Sequence, residues 1–178
     1  QIGLIAVVGL LAGIINTMAG GGSLLTMPML IFMGLDSAMA NGTNRIAILF
    51  QNATSIAGYK SKGLSAGKFG IILGLFALGG AIIGSKIAVE LNDALFNKIL
   101  AVVMVVVVIM TILNPALKLK SGEEVALRLG VKHQILACIA LFFTGIYGGF
   151  IQAGTGLLIM AALSFINKYN FLQAYVAK

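Results

Sequence analysis

Two uninterrupted apolar segments, residues 69–89 and 95–113, constrain this chain more than any other feature. Each segment, folded as an α-helix, is long enough to cross the roughly 30 Å of hydrocarbon in a bilayer. Further apolar runs lie at residues 2–15, 24–35, 46–58, 135–147 and 157–166. Runs of this length are typical of membrane helices, whereas the strands of a membrane barrel alternate apolar and polar residues. The sequence therefore predicts an all-α, polytopic helical membrane protein.

The composition excludes a soluble enzyme. Of the 178 residues 60% are hydrophobic and 10% are charged, whereas soluble domains carry about 25% charged residues. Cys138 is the single cysteine and His133 the single histidine, so neither a disulfide framework nor a metal cluster is expected. The sequence offers no pair of catalytic carboxylates and no Ser/His/Asp set. We expect no enzyme activity, no metal and no cofactor.

The positive charges mark one side of the membrane. The net charge is +7, and basic residues cluster in two polar loops, 60–68 and 118–132. Two predicted spans separate these loops, so both lie on the same face, which the positive-inside rule assigns to the cytoplasm. Because the charges are confined to these loops, we expect a lipid bilayer as the partner and no nucleic acid.

A run of glycines interrupts the first apolar segment between residues 16 and 23. Inside a helix each glycine costs about 1 kcal/mol relative to alanine, and the break frees backbone groups that hydrocarbon cannot satisfy. Such a break is expected only where protein or a wet cavity surrounds it. The alternative is that these glycines serve only the close packing of helices.

A second glycine-rich interruption, at residues 144–158, repeats the first with a constant offset of 133 residues. The offset places Gly154 over Gly21 and Lys178 over Arg45, and it superimposes the leucine pair that follows each break. Paired broken helices in internal repeats are the best sequence pointer to the binding site of a transporter.

We therefore predict two internal repeats, each opening with a glycine-broken helix. Residues 1–132 form the first repeat, and residues 133–178 form the start of the second. Residues 1–35 either cross the membrane once, which makes the repeats parallel, or form a re-entrant hairpin, which makes them inverted. The hairpin is favoured slightly, because each half is about half a bilayer long.

Polar residues recur at helical spacing after the first break and form a stripe along one helix face. The stripe consists of Asn41, Asn44, Arg45, Gln51, Asn52 and Ser55. Thr43 is expected to cap the N-terminus of this helix. An unpaired intramembrane cation costs at least a few kcal/mol, and the acidic residues all lie in loops or at segment ends. We therefore expect a mobile anion to pair with Arg45; the alternative is that Arg45 snorkels to a headgroup.

The chemistry of these residues suits a small anion. The fork of arginine matches an oxyanion, lysine adds a point charge, and helix ends at the breaks offer free N–H groups and positive dipole ends. The predicted binding residues are Asn16, Thr17, Gly20, Gly21, Gly22, Ser23, Thr43, Asn44, Arg45, Gln51, Gln152, Gly154, Thr155 and Lys178.

Two motifs resemble a known family. The stretch AGIINTMAGGGSLLTMP at 12–28, followed by ANGTNR at 40–45, resembles the first-repeat pattern of the sulfite exporter TauE/SafE family, and GIYGGF at 145–150 is similar to the second. The resemblance implies a multi-pass transporter of the bacterial inner membrane that exports or takes up sulfite, sulfonates or related organosulfur anions. It also implies that further spans follow Lys178.

The sequence departs from this family pattern at three positions. Asn16 stands where many members have aspartate, Ser23 replaces a glycine, and Arg45 replaces the usual lysine. Loss of the aspartate removes an obvious carboxylate for proton coupling, so the coupling mechanism stays open.

The leading hypothesis is a secondary transporter that binds a small anion between the two glycine-rich breaks. The sequence has no ATP-binding loop, so the energy must come from a gradient of substrate or of a coupling ion, H⁺ or Na⁺. An anion channel and a non-transporting membrane sensor or subunit are the alternatives. A small-residue face at residues 74–84 predicts a helix contact and is compatible with a homodimer.

Overall fold

The computed structural model describes residues 2–19, 21–63, 67–113 and 130–167. Within these ranges the regular structure is entirely α-helical, which confirms the predicted all-α fold. The helices are α1 (Ile2–Ala19), α2 (Ser23–Phe32), α3 (Ser37–Ser61), α4 (Gly67–Glu90), α5 (Asp93–Leu113), α6 (Val131–Phe150) and α7 (Thr155–Asn167). Helices α4 and α6 are long and apolar enough to cross a membrane.

Helices α4 and α5 correspond to the two long apolar segments of the sequence. The turn between Glu90 and Asp93 joins them, and the side chain of Asn92 accepts a hydrogen bond from the Leu95 amide at 2.8 Å, which caps the start of α5. Large apolar side chains on both helices, such as Leu75 and Val102, face outward. An outward-facing apolar surface of this kind suits lipid.

Helices α4 and α6 run parallel and pack backbone against backbone. Gly145 packs on Ala77, and Gly149 packs on Ala81, so the contacts follow the same order along both helices. A Cβ atom added at Gly149 would lie 2.6 Å from the Cα of Ala81, and one at Gly80 would lie 2.8 Å from the Ile146 nitrogen. Small residues permit such close packing between membrane helices.

This contact confirms the helix-packing role predicted for the small-residue face at 74–84. Because α6 of the same chain occupies part of that face, the face provides no separate support for a homodimer. The parallel packing also sets the direction of the bundle. Lys68 and Lys132, in the first turns of α4 and α6, lie at one end, and the turn from Glu90 to Asp93 lies at the other.

The first predicted break is present but shorter than the sequence indicates. Helix α1 continues through Asn16 to Ala19, and α2 begins at Ser23. Gly22 lies back beside α1, where an added Cβ would be 2.5 Å from the Cβ of Asn16 and 3.0 Å from the carbonyl carbon of Ala12. The chain therefore turns back by one to two helical turns, which supports the hairpin alternative over a straight crossing.

The second predicted break separates α6 from α7 at residues 151–154. Met160 and Leu163 of α7 share one buried apolar cluster with Ala137 and Leu141 of α6. Residues well after the break thus lie beside residues well before it, so α7 is antiparallel to α6. Helix α7 folds back along α6 toward the end that carries Lys132. The two helix–break–helix units fit the predicted repeat, which itself stays a prediction.

Helix α3 begins earlier than expected. Gly34, with φ of 95°, ends α2, since a left-handed residue after a helix terminates it, and Asp36 is then the N-cap of α3. The backbone amide of Ser37 donates to Asp93 Oδ1 at 3.1 Å, which fastens the start of α3 to the start of α5. The prediction that Thr43 opens and caps this helix is therefore wrong, because Thr43 lies inside it.

Candidate functional site

A cavity of about 380 Å³ lies where the two helix breaks come together. Its polar lining consists of Asn16, Ser23, Arg45, Asn52, Gln152 and Thr155. Small residues of α4 and α6 complete the wall: Gly74, Ala77, Ala81, Gly145, Gly148 and Gly149. The lining residues of α3 and α4 lie near the middle of those helices. The cavity therefore sits about halfway along these helices.

Arg45 carries the one charge among the described residues that line this cavity. Its Nη2 donates to the carbonyls of Gly149 and, at 3.5 Å, of Phe150, and its Nε donates to Asn41 Oδ1 at 3.4 Å. The two carbonyls end α6 and carry the negative end of its dipole. All these partners are neutral, and the described part of the chain places no carboxylate in an ion pair with Arg45.

Both half-helices begin at the cavity. Ser23, the first residue of α2, and Thr155, the first residue of α7, line its wall. Helix α2 leads toward the end where α3 and α5 begin, whereas α7 returns toward the opposite end. Most first-turn amides already donate to carbonyls of the breaks, namely those of Leu24, Leu25, Thr155 and Leu157, so each start contributes mainly the positive end of its dipole. Two helix starts of opposite direction therefore lie beside the Arg45 guanidinium at one cavity.

Gln51 lies behind the wall and joins α3 to α1. Its Nε2 donates to the Gly13 carbonyl at 2.6 Å and to Thr17 Oγ1 at 2.8 Å, while its Oε1 accepts from Asn16 Nδ2 at 2.8 Å. A backbone carbonyl can only accept, so the atom of the Gln51 amide that faces Gly13 must be the nitrogen, and the oxygen then faces Asn16. Gln51 thus positions Asn16, which is buried and reaches the cavity.

The second break has a backbone conformation that its neighbours hold in place. Gln152 has φ of 65° and Gly154 has φ of 73°, a left-handed region that is uncommon for a residue with a side chain. The Tyr147 hydroxyl donates to the Ala153 carbonyl at 2.6 Å. A Cβ at Gly154 would lie 2.6 Å from Val107 Cγ1. These contacts keep Gln152 at the cavity wall.

The remaining predicted site residues lie elsewhere. Asn44 faces α2, where its Oδ1 accepts from the Thr26 hydroxyl at 2.5 Å. Thr43 is exposed and does not line the cavity. Gly21, Gly22 and Gly154 shape the two breaks without lining the cavity, and Thr17 belongs to the Gln51 network. Gly20 and Lys178 lie outside the described residues, so the second cation stays a prediction.

Sequence reasoning missed two parts of this site. Asn52 lines the cavity, and its place in the polar stripe of α3 was a signal that could have identified it. The second omission is the end of α6, whose carbonyls bind Arg45 and whose glycines form the wall. No side-chain pattern signals these groups, because they belong to the backbone.

Three curated relatives carry the printed name "Probable membrane transporter protein". The relative from Haemophilus influenzae is 28% identical over 169 residues, which cover 94% of this chain and 64% of the relative. The Sinorhizobium relative, printed with the suffix ORF9, is 23% identical over 164 residues (92% and 61%). A relative from Xylella fastidiosa is 25% identical over 169 residues (93% and 63%). The chain thus spans just under two thirds of the length of these proteins.

No solved structure matches the chain. The names of the relatives point to membrane transport rather than to enzyme catalysis, in agreement with the sequence analysis. Residues 5–177 match the profile of one protein family, described as "Sulfite exporter TauE/SafE". That match covers nearly all of the sequence, and the chain therefore belongs to the sulfite exporter TauE/SafE family.

Proposed function

We propose that this chain is the core of a secondary transporter that binds a small anion, of the sulfite, sulfonate or related organosulfur class, in the cavity between the two helix breaks. One observation carries the proposal. Arg45, halfway along the bundle, brings a positive charge to a cavity at which two helices begin, and its described partners are all neutral. The family description contains the word sulfite, and the names of the relatives support membrane transport.

The electrostatics of the cavity favour a ligand that carries one negative charge. A cation in the membrane interior costs at least a few kcal/mol when unpaired. An anion about 4 Å from the guanidinium would recover about 4 kcal/mol at an effective dielectric constant of about 20. The positive dipole ends at the starts of α2 and α7 would add to this attraction. The cavity, at about 380 Å³, is large enough for any anion of this class.

The fold supports alternating access. Helices α2 and α7 run in opposite directions from the cavity, as the half-helices of inverted repeats do in several transporter folds. One helix–break–helix unit would move against the other, driven by the substrate gradient or by coupling to H⁺ or Na⁺. The basic loops 60–68 and 118–132 would face the cytoplasm, with the protein in the bacterial inner membrane.

Ligand-dependent stability tests the binding step. The full-length protein in detergent is heated with sulfite, sulfate, thiosulfate, taurine, sulfoacetate or a carboxylate, and the unfolding temperature is measured against concentration. A ligand at one hundred times its Kd stabilises the folded state by about 2.7 kcal/mol. Arg45→Gln should abolish this stabilisation. Lys86→Gln, which removes an exposed cation from α4, is the matched control and should retain it.

Flux into proteoliposomes then tests the transport step. A secondary transporter gives saturable flux that depends on a counter-ion, whereas a channel gives flux that neither saturates nor depends on a counter-ion. Binding without flux would identify a sensor or subunit. Absence of stabilisation by every anion tested, or stabilisation that survives Arg45→Gln, would refute the proposed site.

A further inference from the structure

We propose that Arg45 is a latch, whose guanidinium is held by the end of α6 and is drawn away from it when an anion binds in the cavity. This inference rests on the proposed function and describes how occupancy of that same site would start the movement of the second helix–break–helix unit.

Helix α3 holds the end of α6 through two side chains one turn apart. Asn41 Nδ2 donates to the Phe150 carbonyl at 2.9 Å, and Arg45 Nη2 donates to the carbonyls of Gly149 and Phe150. Asn41 is 4% exposed, and its donation to a carbonyl leaves its Oδ1 facing Arg45 Nε. Asn41 thus positions the guanidinium against the end of α6.

The described acceptors of the guanidinium contact two of its three nitrogens. The N–H groups of Nη2 and Nε have protein acceptors, whereas those of Nη1 form no described hydrogen bond. A bidentate oxyanion accepts from two neighbouring nitrogens of the fork, and each such pair includes Nη2. A bidentate anion therefore competes with the Gly149 and Phe150 carbonyls for the N–H groups of Nη2.

The exchange of acceptors favours the anion. A hydrogen bond between two charged groups is stronger than one between a charged group and a neutral carbonyl, and the end of α6 presents only a fraction of a charge. A ligand shifts a conformational equilibrium by its different affinity for the two states. Here the anion has a higher affinity for the released state, because only that state offers it the full fork.

Release of the guanidinium removes one of the contacts that hold the second break. The Gly149 carbonyl loses its described side-chain partner, while Asn41 keeps its bond to Phe150. The break at residues 151–154 and the start of α7 follow directly. Binding at the cavity would therefore loosen the unit that has to move, which links occupancy to alternating access.

Hydrogen–deuterium exchange of the full-length protein in lipid nanodiscs tests the latch, with sulfite as the probe. The Ile151 amide is bonded to the Tyr147 carbonyl at 3.0 Å and reports on the end of α6. We expect sulfite to speed exchange at this amide by about tenfold, the factor that one hydrogen bond of a charged group typically contributes. Exchange in the rest of the bundle should stay constant or slow.

Arg45→Lys is the discriminating variant. An ammonium keeps the positive charge but is a point charge that cannot bridge two carbonyls and Asn41 as the planar fork does. Exchange at Ile151 should therefore be fast without sulfite and unchanged by it, while sulfite affinity falls by less than about tenfold. In Arg45→Gln exchange should also be fast, and sulfite binding should be lost.

Three outcomes overturn the latch, and they differ in what they leave standing. Slower exchange at Ile151 with sulfite in the unmodified protein removes the latch and leaves the anion site intact. Normal protection of Ile151 in Arg45→Lys without sulfite does the same. Absence of sulfite binding to the unmodified protein removes the proposed sulfite site and the latch together.

Discussion

The two adjacent glycines of the first break should respond very differently to alanine. Gly22 packs on α1, where an added Cβ would be 2.5 Å from the Cβ of Asn16 and 3.0 Å from the carbonyl carbon of Ala12. Neither atom is the free end of a flexible side chain. At Gly21 the nearest atom would be Leu24 Cδ1 at 3.6 Å, which is ordinary contact, and Gly21 is not among the residues with positive φ.

The difference in stability follows from these distances. Carbon atoms pack at about 3.5–4.0 Å, so Gly22→Ala forces α2 away from α1 by roughly 1 Å. Overpacking of this kind costs about 1–3 kcal/mol. Gly21→Ala should instead stabilise the protein by about 0.4–1 kcal/mol, because it restricts the unfolded chain. The two variants should therefore differ by about 1.4–4 kcal/mol, which is about 3–16 °C in unfolding temperature for a chain of this size.

Far-ultraviolet circular dichroism of the purified variants in one detergent, heated under identical conditions, measures this difference. Each variant is the other's control, since both add one methyl group to the same break. Equal unfolding temperatures, or a lower one for Gly21→Ala, would show that Gly22 does not pack against α1. The assignment of a reversal of the chain at the first break would then fail.

Three further substitutions test the packing and the hydrogen bonds around the cavity. Gly80→Ala should lower stability to thermal unfolding by about 1–3 kcal/mol because it separates α4 from α6, whereas Gly79→Ala, where an added Cβ has ordinary space, should be neutral or stabilising; equal losses would argue against the close crossing. Gln51→Leu leaves buried partners on α1 unsatisfied, so it should cost about 1–3 kcal/mol of stability and weaken anion binding. The exposed control Thr54→Val should do neither. Unchanged anion binding in Gln51→Leu would contradict the positioning role of Gln51. Tyr147→Phe removes the bond to the second break and should cost about 1 kcal/mol by thermal unfolding, with no loss if that break is held by other contacts.

The long spans could be predicted because hydrocarbon leaves the backbone few choices. The apolar segments at 69–89 and 95–113 became α4 and α5 with ends shifted by about two residues. The first helix was harder, because polarity at Asn16 and Thr17 suggested that it had already ended. In the structure Gln51 satisfies both side chains, so the helix continues. A tertiary partner 34 or 35 residues away decided that boundary.

The residues of the candidate site, too, could be predicted only in part. Asn16, Ser23, Arg45, Gln152 and Thr155 could be predicted, because polar side chains beside glycine-rich breaks are costly in a membrane unless they have a function. The partners of Arg45 could not, because a carbonyl at the end of a helix has no residue-type signature. The wall formed by α6 depends on the glycine-mediated crossing with α4, which fixes which face of α6 the cavity meets. The residue types indicated where the candidate site lies, whereas the wall formed by α6 follows only from the packing of α6 on α4.

The dipoles at the two breaks explain why Arg45 has to do more than add a charge. Each break joins the end of one helix to the start of another, and the two carry opposite partial charges of about half a unit. To a first approximation each break is neutral, so the breaks alone do not select an anion. Because Arg45 covers the carbonyl end of α6, the helix start at Thr155 is the uncovered end of the second break. Arg45→Gln would therefore remove a full positive charge and also uncover the Gly149 carbonyl, and under the proposed function the cavity would lose its attraction for an anion.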